Sequence, residues 1–225
     1  MKTIAIIGGS YGIGNAIAKE MSQSNQVITM CRSNLDKLDN HQHYQNDVLA
    51  DQLPEIESLN GLVYCPGSIN LKPFKRFKLD DFKSDFEINV LGAVKVIQHY
   101  LRALANGNGS VVMFSTVASQ MGMPFHASIA SSKSAVEGLA KSLAAEFANQ
   151  IRFNVVAPTV TDTPLAQKLL KNDKQKELMK ERHPLKHYLQ PEKVSKLVTY
   201  LLSDDASAIS GQVFTIDAGL VTIKT

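Results

Sequence analysis

The stretch Thr3-Ile-Ala-Ile-Ile-Gly8-Gly9-Ser10-Tyr11-Gly12-Ile13-Gly14 decides how this chain is read. An apolar run enters a glycine cluster, and an amphipathic segment follows with Ile13, Ile17 and Met21 at i, i+4 and i+8. That order is a buried strand, a tight turn and a helix. Such a turn offers an anion free N–H groups and the positive end of the helix dipole. Side chains would keep a phosphate away, so glycine lets the backbone come close. Glycines are common, but on the first strand-to-helix turn of an alternating chain they are a specific signal for a dinucleotide.

Outward from this turn the alternation continues. Strands are expected at Thr3–Ile7, Gln26–Met30, His43–Gln45, Gly61–Tyr64, Ser110–Ser115, Arg152–Ala157 and Val213–Ile216. Most are bare apolar runs, the mark of strands covered on both faces. Helices are expected at Gly12–Ser24, Asp80–Ala105, Ala127–Asn149, Leu165–Arg182 and Pro191–Ser203; the second carries Phe82, Phe86, Val90 and Val94 at helical spacing. The pattern predicts an α/β fold, one doubly wound domain over residues 1–225 with a mostly parallel seven-stranded sheet and helices on both faces. Ala127–Asn149 is rich in small residues (Ala130, Ser131, Ser134, Gly138, Ser142), which suits close packing either on its own sheet or on a second subunit.

Composition narrows the function classes. The net charge of +3 is small and scattered, and the most basic stretch, Lys168 to Lys186, also carries Asp173, Glu177 and Glu181, so nucleic acid is not an expected partner. No apolar run reaches the ~18 residues of a membrane span. The start MKTIAIIGGS lacks the cleavage pattern of a signal peptide. Cys31 and Cys65 show no metal-ligand spacing and fit a reducing compartment, so a cytoplasmic protein without a metal is expected. The second strand ends in Met30-Cys31-Arg32-Ser33 without the carboxylate that binds the ribose hydroxyls of NAD. Arg32 suits a 2′-phosphate, which favours NADP(H) and leaves NAD(H) open.

At this spacing the chain resembles the short-chain dehydrogenase/reductase family over essentially its full length. Gly8, Gly12 and Gly14, with Ser10, Tyr11 and Ile13 between them, look like its Gly-x-x-x-Gly-x-Gly turn. Asp47-Val48 is similar to the pair that contacts adenine, Asn89-Val-Leu-Gly92 to the Asn-x-x-Gly helix motif, and Ile151 to Pro158 to the strand leading to the nicotinamide. Ser210 to Gly219 resembles the final strand and tail. The resemblance implies a Rossmann fold and cofactor contacts from Cys65, Pro66, Gly67, Lys133, Pro158, Thr161 and Thr163. It also implies a substrate lid at about 159–191 and a homodimer or homotetramer through 80–105 and 127–149.

Three departures accompany it. Tyr64-Cys65-Pro66-Gly67 replaces the family's Asn-Asn-Ala-Gly, and Pro158-Thr159 its Pro-Gly. The family's Tyr-x-x-x-Lys ends at Lys133, and the tyrosine position holds Ile129. The family's serine falls on Thr116. Asn89, Thr116 and Lys133 thus keep catalytic positions without the tyrosine acid, and general acid–base help is typically worth about 10²–10⁴-fold. His126, at the helix entrance, is a candidate replacement, since imidazole titrates near neutrality; a surface role is the other reading. The lid residues Leu165, Leu169, Leu170, Leu178 and Met179, facing Met121, Met123 and Phe125, suit an apolar, adaptable pocket or ordinary packing. The expected function is an oxidoreductase moving a hydride between nicotinamide and a small organic substrate. The alternative is a non-catalytic dinucleotide-binding protein, a sensor or structural subunit.

Overall fold

The computed structural model describes residues 1–224. Seven parallel strands form one sheet in the order β3-β2-β1-β4-β5-β6-β7. They are β1 Thr3–Ile7, β2 Gln26–Cys31, β3 His41–Gln45, β4 Gly61–Tyr64, β5 Ser110–Phe114, β6 Arg152–Pro158 and β7 Val213–Ile216. The strand direction of winding reverses between β1 and β4, where doubly wound sheets open a crevice at the carboxyl ends of the strands.

Successive side chains of a strand point to opposite faces. Ala5, Ile7, Val111, Met113, Phe153 and Val155 enter one core layer, beneath α3 (Gly92–Asn106) and α4 (Ala127–Glu146). Ile4, Ile6, Val112 and Val156 enter the other, beneath α1 (Gly12–Met21) and α6 (Pro191–Leu202). This two-sided burial explains why the central strands read as unbroken apolar runs. β3 is the exception: its sequence HQHYQ is polar because it lies at the sheet edge.

The single helix expected over 80–105 is built in three parts. α2 spans Leu79–Phe86, a π-helical turn spans Glu87–Leu91, and α3 follows. The extra residue rotates the first part against the second, so the expected apolar stripe is broken. Val90 is buried, but Phe86 is 41% exposed, and the inward positions of α2 and the turn hold Asp85 and Asn89 instead. The Gly92 N–H reaches back to Glu87 O, and the freed Ile88 carbonyl accepts a hydrogen bond from Tyr64 Oη at 2.7 Å.

The helix expected over Leu165–Arg182 is also broken. A 3-10 turn, Pro164–Ala166, is capped by Thr163, and α5, Asp173–Arg182, starts separately because Asn172 Oδ1 accepts the Gln175 N–H. α4 turns Val136, Ala140 and Ala144 onto the sheet. Its small residues Ser131, Ser134, Gly138 and Ser142 face outward.

Candidate active site

A cavity of about 690 Å³ opens at the winding reversal, and every residue expected to touch the cofactor lines it, from Gly8 to Thr163. Gly8 (φ 80°) and Gly12 (φ 54°) hold the turn in the left-handed region that favours glycine. At Gly14 the requirement is one of space: a Cβ there would lie 2.2 Å from Gly8 O. Tyr11 stands extended at the start of α1, with no side-chain cap and no acidic residue in the first turn. The leading N–H groups of α1 therefore face the cavity without a side-chain acceptor, and this cradle fits the phosphates of a dinucleotide.

At the far end Arg32 follows β2 on an exposed segment, its carbonyl fixed by Gln45 Nε2 at 3.1 Å. Asp47 Oδ1 accepts the Leu49 N–H, and Asp51 accepts the Asp47 N–H at 2.7 Å, which shapes the loop around buried Val48. Beneath the glycine turn lies a cluster that sequence reasoning missed. The fully buried Thr29 hydroxyl meets His41 Nε2 at 2.8 Å and His43 Nδ1 at 3.0 Å. A Cβ on Gly9 would press on the Thr29 side chain at 2.8 Å, so this cluster is the floor of the turn.

At the other end α4 places Ile129 and Lys133 one turn apart on its inner face, 5% and 8% exposed, both lining the cavity. Lys133 makes no side-chain hydrogen bond to another described residue. Burial pulls its ammonium down to about 8, against the opposing pull of Cys65 and Asp85. The partly buried Cys65 thiol is pushed up to about 12. Thr116 lines the cavity with its Oγ1 accepting the Ala118 N–H, which leaves the hydroxyl proton free to point at a substrate oxygen. His126 also lines the cavity. Its Nδ1 donates to Pro124 O at 2.7 Å, so in the neutral ring Nε2 carries a lone pair: a base rather than an acid.

Asn89 does not line the cavity. It lies behind Gly67, 1% exposed, donating to Asp85 O at 2.7 Å, while its Oδ1 has no hydrogen-bond partner. Beside it is a second group the sequence reading passed over: Asp85, fully buried, with Ser68 and Asn70 donating to Oδ1 and Ser128 to Oδ2. The available signal was its i, i−4 spacing from Asn89, a charged residue one turn before a buried amide.

On the substrate side Leu165, Leu169 and Met179 from the 164–182 segment line the cavity, joined by Met123, Ile69 and Leu71. Leu170 is buried elsewhere, and Leu178 and Phe125 are more than half exposed, so these three do not shape the pocket. Met121 does not line it either. His183 anchors the end of α5: fully buried, it meets Thr159 Oγ1 at 2.8 Å and Met179 O at 2.7 Å. Among the described residues no three His, Cys, Asp or Glu side chains gather as a metal site. No helix among them is long and apolar enough to cross a membrane.

Comparison with known proteins agrees with this geometry. The family model described as enoyl-(acyl carrier protein) reductase matches residues 37–221. A 3-oxoacyl-[acyl-carrier-protein] reductase from Thermotoga maritima is 30% identical, covering 98% of this chain and 98% of that protein. Among solved structures, a Tyr-to-Phe variant of ElxO with NADPH bound has 26% identity and a TM-score of 0.88, covering 99% of this chain and 100% of that one. A 4-hydroxyisoleucine dehydrogenase complexed with NADH has 26% identity and a TM-score of 0.85, with full coverage of both. Neighbours that hold NADPH and NADH support a nicotinamide dinucleotide as cofactor. The chain belongs to the short-chain dehydrogenase/reductase family of oxidoreductases.

Proposed function

We propose that this protein is an NADP(H)-dependent oxidoreductase whose proton chemistry runs from Lys133 rather than from a tyrosine. The observation that carries the reading is a buried, cavity-facing ammonium one helical turn from Ile129. The cofactor, when bound, supplies or accepts the hydride. The chain's own groups do the rest. Thr116 Oγ1 orients the substrate oxygen, and Lys133 Nζ holds the proton that this oxygen takes up, directly or through a water. Ile129, Leu165, Leu169 and Met179 exclude bulk water and accept an apolar substrate. A low-dielectric setting suits an ammonium acid whose pKa sits near the working pH. In the reverse direction the neutral Lys133 amine takes that proton back.

The test is stopped-flow absorbance of bound NADPH against carbonyl, imine and enone substrates. Oxidation with at least one class is expected. Tight NADPH binding with no oxidation by any class would favour the second reading, a non-catalytic dinucleotide-binding protein, which Ile129 supports by its lack of an ionisable proton. The Ile129→Tyr variant then separates an intact scaffold from a dead one, since only the former gains carbonyl reduction.

Arg32 supports NADP(H). A 2′-phosphate bound to a guanidinium is worth about 1.5–3 kcal/mol, so Arg32→Glu is expected to raise the NADPH Kd at least ~10-fold and leave the NADH Kd nearly unchanged. Fluorescence titration with both nucleotides checks this; equal loss for both would remove the preference. The exposed groove of Phe82, Phe86 and Leu91 against Ser128, Ser131 and Ser132 supports a homodimer or homotetramer through α2 and α4. Cytoplasmic residence fits the two free thiols.

A further inference from the structure

Asp85 is the one fully buried carboxylate among the described residues, and no step above uses it. It belongs to no surface ion pair. Ser68 Oγ and Asn70 Nδ2 donate to Oδ1 at 2.6 and 2.7 Å, and Ser128 Oγ donates to Oδ2 at 2.5 Å. These three donors match an acceptor-only carboxylate. Burying such a group is costly unless hydrogen bonds and an opposite charge compensate it. The donors are present, and the opposite charge is close by. Asn89 Nδ2 binds Asp85 O and also reaches Ser68 Oγ at 3.2 Å. Asn89 Oδ1, unpartnered, and Lys133 Nζ both lie within 3.3 Å of one point, the position a Cβ on Gly67 would take. Lys133 Nζ and the Asn89 Oδ1 therefore border one polar pocket behind Gly67, and Asn89 is tied in turn to the Asp85 backbone.

We propose that Asp85 is a positioning residue for Lys133: a buried counter-charge, clamped by Ser68, Asn70 and Ser128, that holds the Lys133 ammonium protonated and, through Asn89, aimed at the cavity. The clamp fixes the charge without placing it in the cavity, so Lys133 is not drawn into a closed ion pair and keeps its proton available. Desolvation opposes the charged lysine, and Cys65 and Asp85 favour it; the Cys65 thiol, pushed up to about 12, is neutral where Lys133 titrates, so the standing counter-charge is that of Asp85. Of the other titratable groups nearby, Glu137, on α4, is occupied by Ser115 and Ser119. His126, at the entrance of the same helix, is tied to Pro124 O. Asp81, on α2, is paired with Lys72 at 2.7 Å. Asp85 is the carboxylate whose charge bears on Lys133.

This inference rests on Lys133 as the proton donor, but its test needs neither cofactor nor substrate. In the full chain labelled with 13C at lysine Cε, the Lys133 resonance is followed by NMR from pH 6 to 11. In Asp85→Asn the midpoint is expected to fall by about one unit or more, the effect of removing a nearby opposite charge. Ser128→Ala, which removes a donor and keeps the charge, is expected to lower the melting temperature and leave the midpoint close to wild type. A folded Asp85→Asn protein with an unmoved midpoint overturns the proposal. Should that variant not fold, the wild type decides: the Asp85 13Cγ resonance must show an inflection at the Lys133 midpoint, as coupled sites do, and its absence also overturns the proposal. A shifted midpoint in a protein that never oxidises NADPH would uphold the role of Asp85 and remove the catalytic reading of Lys133.

Discussion

Lys133→Met is expected to lower kcat/KM for NADPH-dependent reduction by about 10²–10⁴-fold, the usual worth of a general acid. Methionine has nearly the length of the lysine stem and packs adaptably, so the inner face of α4 beside Ile129 keeps its filling. What is lost is the charge and its donors. The pH profile makes the test specific. Burial holds the Lys133 ammonium at about 8, well under its ordinary 10.5. An acid must be protonated to act, so wild-type reduction is expected to be full below that value and to decline as pH rises through it. In Lys133→Met this alkaline decline should vanish along with most of the rate. A variant that keeps both the rate and the alkaline limb would assign the proton to another group.

Gly14→Ala is expected to be the most damaging single-methyl change in the glycine turn. Its Cβ would meet Gly8 O at 2.2 Å and the Gly9 Cα at 3.2 Å, both backbone atoms that no rotamer can move. The turn must shift, at about 1–3 kcal/mol for overpacking. That corresponds to roughly 2–12 °C in melting temperature for a domain of this size. The N–H groups that face a phosphate move with it. Hydrogen bonds to a charged group are worth about 1.5–3 kcal/mol each, so NADPH affinity should fall on the order of 10²-fold or more even in protein that still folds. Gly122→Ala is the control. Gly122 lies in the loop before α4 with nothing within 4 Å of a Cβ and no positive φ. That variant should melt close to wild type. Isothermal titration with NADPH and a thermal melt on both variants decide the matter; unchanged affinity in Gly14→Ala would mean that the phosphates sit elsewhere.

The sheet was legible because its signals are local. Ile4 to Ile7, Val111 to Met113 and Val155 to Ala157 are buried on both faces, so each reads as a strand without knowing its neighbours. The glycine turn was legible because its φ angles and its close approach to Gly8 O both demand glycine. Where local pattern was overruled, a specific contact did it. The stripe through Phe82, Phe86 and Val90 looked continuous, but the π turn breaks its phase, and the group that takes up its freed carbonyl, the Tyr64 hydroxyl on Ile88 O, lies 24 residues away in sequence. The long helix over 165–182 was read through Asn172, whose side chain starts a new helix instead. Asp85 escaped notice for the same reason as the π turn. Its partners Ser68 and Asn70, in the loop after β4, and Ser128, on α4, come from two separate segments, and nothing in one segment announces the other. Arg32, Lys133, Thr116 and His126 could be named from position alone; how each is held required the fold.

The π turn also acts as a gear. It inserts one residue between two stretches of a single rod, and each residue of a helix is worth about 100° of rotation. The inward groups of α2, Asp85 above all, and its outward groups, Phe86 with them, are therefore set at one angle relative to α3 by the same inserted residue. Deleting it would turn the acid out of the buried network and swing the apolar rim out of line in one motion. Internal charge placement and external surface are geared together, so a partner that seats on the rim would hold the acid in register from outside.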